Sequence, residues 1–83
     1  MKTETIPIHT PFIKLDQLLK FAGIAETGGH AKEMVADGEV MLNGEVCYIR
    51  GKKVFPNDKI VIGNELELLI IHEGNGISRG WVS

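Results

Sequence analysis

Three cations crowd four positions at Arg50-Gly51-Lys52-Lys53, the densest positive run in the 83 residues. A guanidinium can hold a phosphate through two parallel donors, and an ammonium acts on it as a point charge. The glycine keeps such a loop extended. A second group stands at Thr27-Gly28-Gly29-His30, with Lys32 close behind. Thr27 suits the cap of a helix, whose first N–H groups have no partner within the helix and carry positive partial charge. Glycines at that point let an anion approach the backbone closely, and Lys32 adds a full charge one turn on. His30 falls in the same first turn, where a charged imidazole opposes the helix dipole. Lys14 and Lys20 are weaker candidates near the first helix. The plainer readings are a solvated loop at residues 50–53 and a tight helix-to-helix connection at 27–29. Both candidate groups suit one chemistry, the binding of phosphate.

Other chemistry finds little footing. His9, His30 and His72 are scattered, and no His/Cys spacing matches a metal site. No nucleophile has a placed base, no carboxylate pair is forced together, and no phosphate-binding glycine loop of the nucleotide-hydrolase kind is present. Neither a cofactor nor a metal is expected, nor is an enzyme. The single Cys47 has no partner for an internal disulfide and reads as a buried thiol in a strand. A net charge of −2 means that attraction to a polyanion has to come from a local patch. The longest apolar run, Leu68 to Ile71, is too short to cross a bilayer. A cytoplasmic protein is the expectation.

The elements that position these residues follow from periodicity. Leu15, Leu18, Leu19 and Ala22 fall at i, i+3, i+4 and i+7, which predicts a helix over 15–22 ending at Gly23. Ala31, Met34 and Val35 repeat the spacing, which predicts a second helix over 28–37 stopped by Gly38. Asn43-Gly44 is a strong two-residue hairpin turn, because both central residues of a type I′ turn need positive φ. Strands are expected at 39–42, 45–49, 54–55, 59–62 and 66–71, and Thr5-Ile6-Pro7-Ile8 reads as an edge strand.

The ordered set of residues resembles the S-four-type RNA-binding domain, named after small-subunit ribosomal protein four. The matching residues are Leu15, Asp16, Leu19 and Gly23; then Ala31, Met34, Val35, Gly38, Val40, Leu42, Asn43 and Gly44; then Val54, Pro56 and Asp58. Together they span about residues 13–62 with all spacings kept. The chain is most similar to short stand-alone bacterial members, which carry a Ser-Gly-Gly-type run before Ala-Lys. Where many members have Ser-Arg, this chain has Thr27-Gly28 and lacks that guanidinium.

The resemblance implies an α+β fold, with two short helices packed on a small, mostly antiparallel sheet. The expected domain runs over 12–72, after an N-terminal arm or edge strand over 1–11; the Gly/Ser content of 73–83 predicts a flexible tail there, with Arg79 and Trp81 as its distinctive side chains. The resemblance implies a monomer that binds structured RNA, ribosomal RNA or a ribosome particle and its proteins, through Thr27, Gly28, Gly29, His30, Lys32, Arg50, Lys52 and Lys53, with Lys14 and Lys20 at the margin. In that fold the second helix and the basic loop border one surface. The alternative is a protein-interaction module that uses the edge of the 66–71 strand.

Overall fold

The computed structural model describes residues 1–73. Of the expected tail over 73–83, residues 74–83 lie outside the described residues, while the Glu73 N–H donates to Ile8 O at 2.9 Å. Strand β1 (Lys2–Ile8) leads to a short β2 (Ile13–Lys14), helix α1 (Leu15–Phe21) and helix α2 (Gly28–Ala36). Then follow β3 (Val40–Leu42), β4 (Glu45–Val46), β5 (Lys53–Val54), β6 (Lys59–Ile62) and β7 (Leu66–His72). Five strands form one sheet in the order β1-β7-β6-β3-β4, while β2 and β5 pair as a separate two-stranded ribbon. All neighbours are antiparallel except β1 and β7. The architecture is the expected one of two helices on a mostly antiparallel sheet.

Helix α1 has only 7 residues, too few for propensity to hold it. Packing holds it: Leu15, Leu18 and Leu19 are all fully buried. Each such leucine contributes about 1.5–3 kcal/mol relative to exposure. Against them lie Ala31, Met34 and Val35 of α2, and Val40, Ile60, Ile62, Leu68 and Ile70 from one face of the sheet. The alternation in β6 and β7 selects that face, since side chains two apart point the same way.

Several expectations shift by a residue or more. Strand β1 begins at Lys2, not Thr5, and Pro7 sits on the sheet's edge, where a missing donor is tolerated. The second strand of the hairpin is short. Its ladder ends where the Cys47 N–H donates to Val40 O at 3.0 Å, and the chain then leaves the sheet. Cys47 is accordingly half-buried rather than enclosed. The 66–71 strand offers no free edge, because β1 covers it on one side and β6 on the other.

The left-handed positions fall at the element ends. Gly23 and Gly38 have φ of 77° and 76°, and Asn43-Gly44 turns at 52° and 91°. The hairpin turn is also bound to the Pro56-Asn57-Asp58 turn. Asn43 Nδ2 donates to Asp58 Oδ1 at 3.1 Å, and Asn43 Oδ1 accepts from Lys59 N at 2.9 Å. Asp58 Oδ2 accepts from Phe55 N at 2.8 Å. Asn57 takes φ of 80°, which asparagine tolerates better than most residues.

Asp58→Ala removes the acceptor of the Phe55 N–H and of the Asn43 amide in a solvent-exposed network, so it should cost about 0.5–1.5 kcal/mol in urea unfolding. Asn43→Ala should cost a similar amount. The double variant should lose clearly less than the sum, because the two side chains share one network. Strict additivity would show that the two turns are independent.

Candidate nucleic-acid interface

The basic loop is fastened to the start of α1. The first N–H groups of a helix need outside acceptors. Here Leu15 N donates to Lys52 O at 2.9 Å, and Asp16 N donates to Arg50 O at 2.9 Å. The loop's carbonyls therefore face the helix, and its backbone is fixed at two points. The β2–β5 ribbon adds a third tie, with Ile13 opposite Val54 and Lys14 opposite Lys53. Val54 is fully buried and anchors the ribbon in the core.

This arrangement brings four cations together. Lys14 is not on the exposed side of a helix, as the sequence suggested; it is the N-cap of α1 in extended conformation, and it lies directly across from Lys53. Side chains opposed in this way have Cβ atoms about 4.5–5.5 Å apart. Arg50, Lys52 and Lys53 are exposed, and none of the four cations forms an ion pair among the described residues. Lys20 stands apart in the last turn of α1.

Two aromatic rings flank the patch. Lys53 Nζ lies 4.8 Å from the centroid of the Phe12 ring. Phe12 in turn meets Phe55 at 5.9 Å with the rings tilted by 50°. Such a cation–π contact contributes about 0.5–1 kcal/mol at an exposed site. Tyr48 and Ile49, just before the loop, are exposed as well. Tyr48 leans on the end of α2, where a Cβ added to Gly38 would meet its hydroxyl oxygen at 3.2 Å.

The start of α2 is built as the sequence indicated. Thr27 Oγ1 accepts from His30 N at 3.0 Å, and Thr27 O accepts from Ala31 N at 3.0 Å. The N–H groups of Gly28 and Gly29 have no recorded protein acceptor among the described residues, and both glycines are exposed. His30 and Lys32 are exposed on the same turn. Among the described residues, no hydrogen bond or ion pair joins this helix start to the basic loop.

The sequence reading missed the aromatic flank and the place of Lys14. Period-2 alternation around the apolar Val54 puts Lys53 and Phe55 on one face, so half of that flank was legible. The Lys14–Lys53 pairing joins residues far apart in the chain and has no local signature. Among the described residues, no group of His, Cys, Asp and Glu is placed to hold a metal ion. No described helix is long and apolar enough to cross a membrane.

A family model described as S4 domain matches residues 6–70, most of the chain. This chain belongs to the S4 domain family. It is also similar to a protein of Bacillus subtilis (strain 168) named "Probable ribosome maturation protein RlbA". The two are 39% identical over 57 residues, which cover 69% of this chain and 80% of that protein. In this S4 domain, the matched segment contains both the loop at 50–53 and the start of α2.

Lys14 opposes Lys53 at a helix N-terminus, so its charge is unfavourable on two counts. Lys14→Glu should therefore raise stability at low salt by about 0.2–1 kcal/mol, from the cross-strand pair. The gain should shrink towards zero in about 1 M salt, where screening is strong. Thermal melts at both salt concentrations check this. A loss of stability at low salt would show that the two lysines do not share a face.

Proposed function

We propose that this S4 domain binds structured RNA without catalysis, in the setting of the ribosome, through the sugar–phosphate backbone. The observation that carries the reading is the gathering of Lys14, Arg50, Lys52 and Lys53 on one fixed patch without neutralising carboxylate partners among the described residues. Like charges held together oppose folding slightly, and an RNA phosphate removes that repulsion. The overall charge of −2 makes the patch the place where a polyanion is attracted. Family membership and the similarity to the Bacillus subtilis protein named for ribosome maturation support the ribosomal setting.

Phosphate contacts position an RNA, while base contacts specify it. The four cations are of the positioning kind. A-form RNA offers a shape and a phosphate track rather than a readable deep groove. The start of α2 is the second contact in this reading, with Gly28 and Gly29 offering backbone donors beside Thr27, His30 and Lys32. Lys20 is a marginal contact at the far end of α1.

A protein-interaction role also has an observation behind it. The outer face of the sheet carries half-buried Met41, Val61 and Leu69 on the side away from the helical core. That face, rather than a strand edge at 66–71, is where a protein partner would sit.

The two readings separate in a salt titration of binding to ribosomal RNA fragments. Each lost phosphate contact should lower the slope of log K against log salt by about one. Changing Arg50, Lys52 and Lys53 together to Ala should weaken binding by roughly 10- to 1000-fold at moderate salt. Lys32→Ala should act in the same direction with a smaller effect. Lys2→Ala, on β1, is the control and should change little. If the triple variant stays folded and keeps the parental affinity and slope, the basic loop is not the RNA surface.

A further inference from the structure

An open groove lies between the β3–β4 hairpin and the loop that follows it. Its walls include Leu42, Glu45, Ile49, Lys52, Lys53 and Phe55, and its volume is ≈ 700 Å³. That is within the range of small-molecule sites, about 300–1,000 Å³. Two of its apolar side chains are open to water, Ile49 at 64% exposed and Phe55 at 47%. Lys52 and Lys53 line the same groove, with Lys53 on the strand face that carries Phe55. Large apolar groups this exposed, next to cations without ion-pair partners, suit a ligand that is flat, apolar on its face and anionic at one end.

We propose that this groove holds one unpaired nucleotide of the bound RNA, with its base against Ile49 and Phe55 and its phosphate at Lys52 and Lys53. The proposal rests on the phosphate-binding reading above and adds a contact to a base. Proteins that recognise RNA in loops and bulges splay bases out and stack them on aromatic side chains. Phe55 is held in place by the tilted contact of its ring with Phe12, and its backbone by the bond from its N–H to Asp58 Oδ2.

The acidic residues of the groove have different tasks. The Asp58 carboxylate already accepts from the Asn43 amide and from Phe55 N. Glu45, on β4 in the groove's wall, is exposed and forms no ion pair among the described residues. An ionised carboxylate only accepts hydrogen bonds. The base it favours therefore carries N–H donors side by side on its pairing edge, as guanine does. Uracil, with one N–H between two carbonyls, is the poorest match.

The test uses the full chain and three RNA hairpins of equal length at one salt concentration. One is fully paired, one carries a single bulged guanosine, and one a single bulged uridine. Fluorescence anisotropy should show the bulged-guanosine hairpin binding more tightly than the paired one by about 5- to 150-fold, the range of one base–aromatic stack. Ile49→Ala and Phe55→Ala should each reduce that preference while leaving the salt slope unchanged. Glu45→Gln should reduce the margin of guanosine over uridine. Ile49 is mostly exposed, so its variant tests the groove even if Phe55→Ala melts early. Equal binding of bulged and paired hairpins overturns the proposal, as does a preference unchanged in a folded Ile49→Ala protein. Equal binding of the two bulges overturns the role of Glu45. If none of the hairpins binds with a salt-dependent affinity, it is the phosphate reading itself that fails.

Discussion

Two backbone hydrogen bonds, from Leu15 N to Lys52 O and from Asp16 N to Arg50 O, join the basic loop to the start of a helix. A helix N-terminus must find acceptors, and here the loop supplies them. The requirement of the helix thereby becomes the geometry of the patch. With its carbonyls turned inward, the loop leaves its cationic side chains outside. Lys14, the N-cap residue, is brought opposite Lys53 by the same arrangement. The buried leucines of α1 hold the helix, the helix holds the loop, and the loop holds the charges.

Beyond the β2–β5 ribbon that ties the loop's far end, a further network holds the chain just past it. The network of Asn43, Asp58 and Phe55 N connects the hairpin turn to the turn after β5. A loop clamped at both ends loses little further freedom when it meets a ligand, which favours binding. The patch is costly to the fold, since like charges face each other across a strand pair. The cation–π contact of Lys53 with Phe12 offsets part of that cost. Phosphates of a polyanionic partner would relieve that repulsion, although the chain as a whole carries −2.

Much of the frame was legible because it follows local rules. The i, i+3, i+4 stripes of Leu15, Leu18 and Leu19, and of Ala31, Met34 and Val35, identified both helices and their buried faces. Gly23, Gly38 and Asn43-Gly44 marked the turns through their need for positive φ, and the structure places all four there. What escaped was non-local. The parallel pairing of β1 with β7 closes across nearly the whole described chain, so the 66–71 strand looked like an edge although it is interior. The strand expected at 45–49 stops after Val46: Tyr48 lies against Gly38, and further on the carbonyls of Arg50 and Lys52 accept from the start of α1. Lys14 could be assigned to a helix by position alone, and only the ribbon pairing shows it beside Lys53. The basic loop was visible from composition, but its aromatic border required the pairing of Phe12 with Phe55.

The central claim is that the loop bound to α1 is the surface that meets RNA. Amide chemical-shift mapping on the ¹⁵N-labelled chain, during titration with a structured ribosomal RNA fragment, tests it most directly. The account predicts the largest shifts at Lys14 to Asp16 and Arg50 to Val54, followed by Gly28 to Lys32, with β1 and the outer face of β7 nearly unmoved. Shifts concentrated on β1 or on Leu69 and Ile71, with the amides at 50–54 unaffected at saturation, would contradict it.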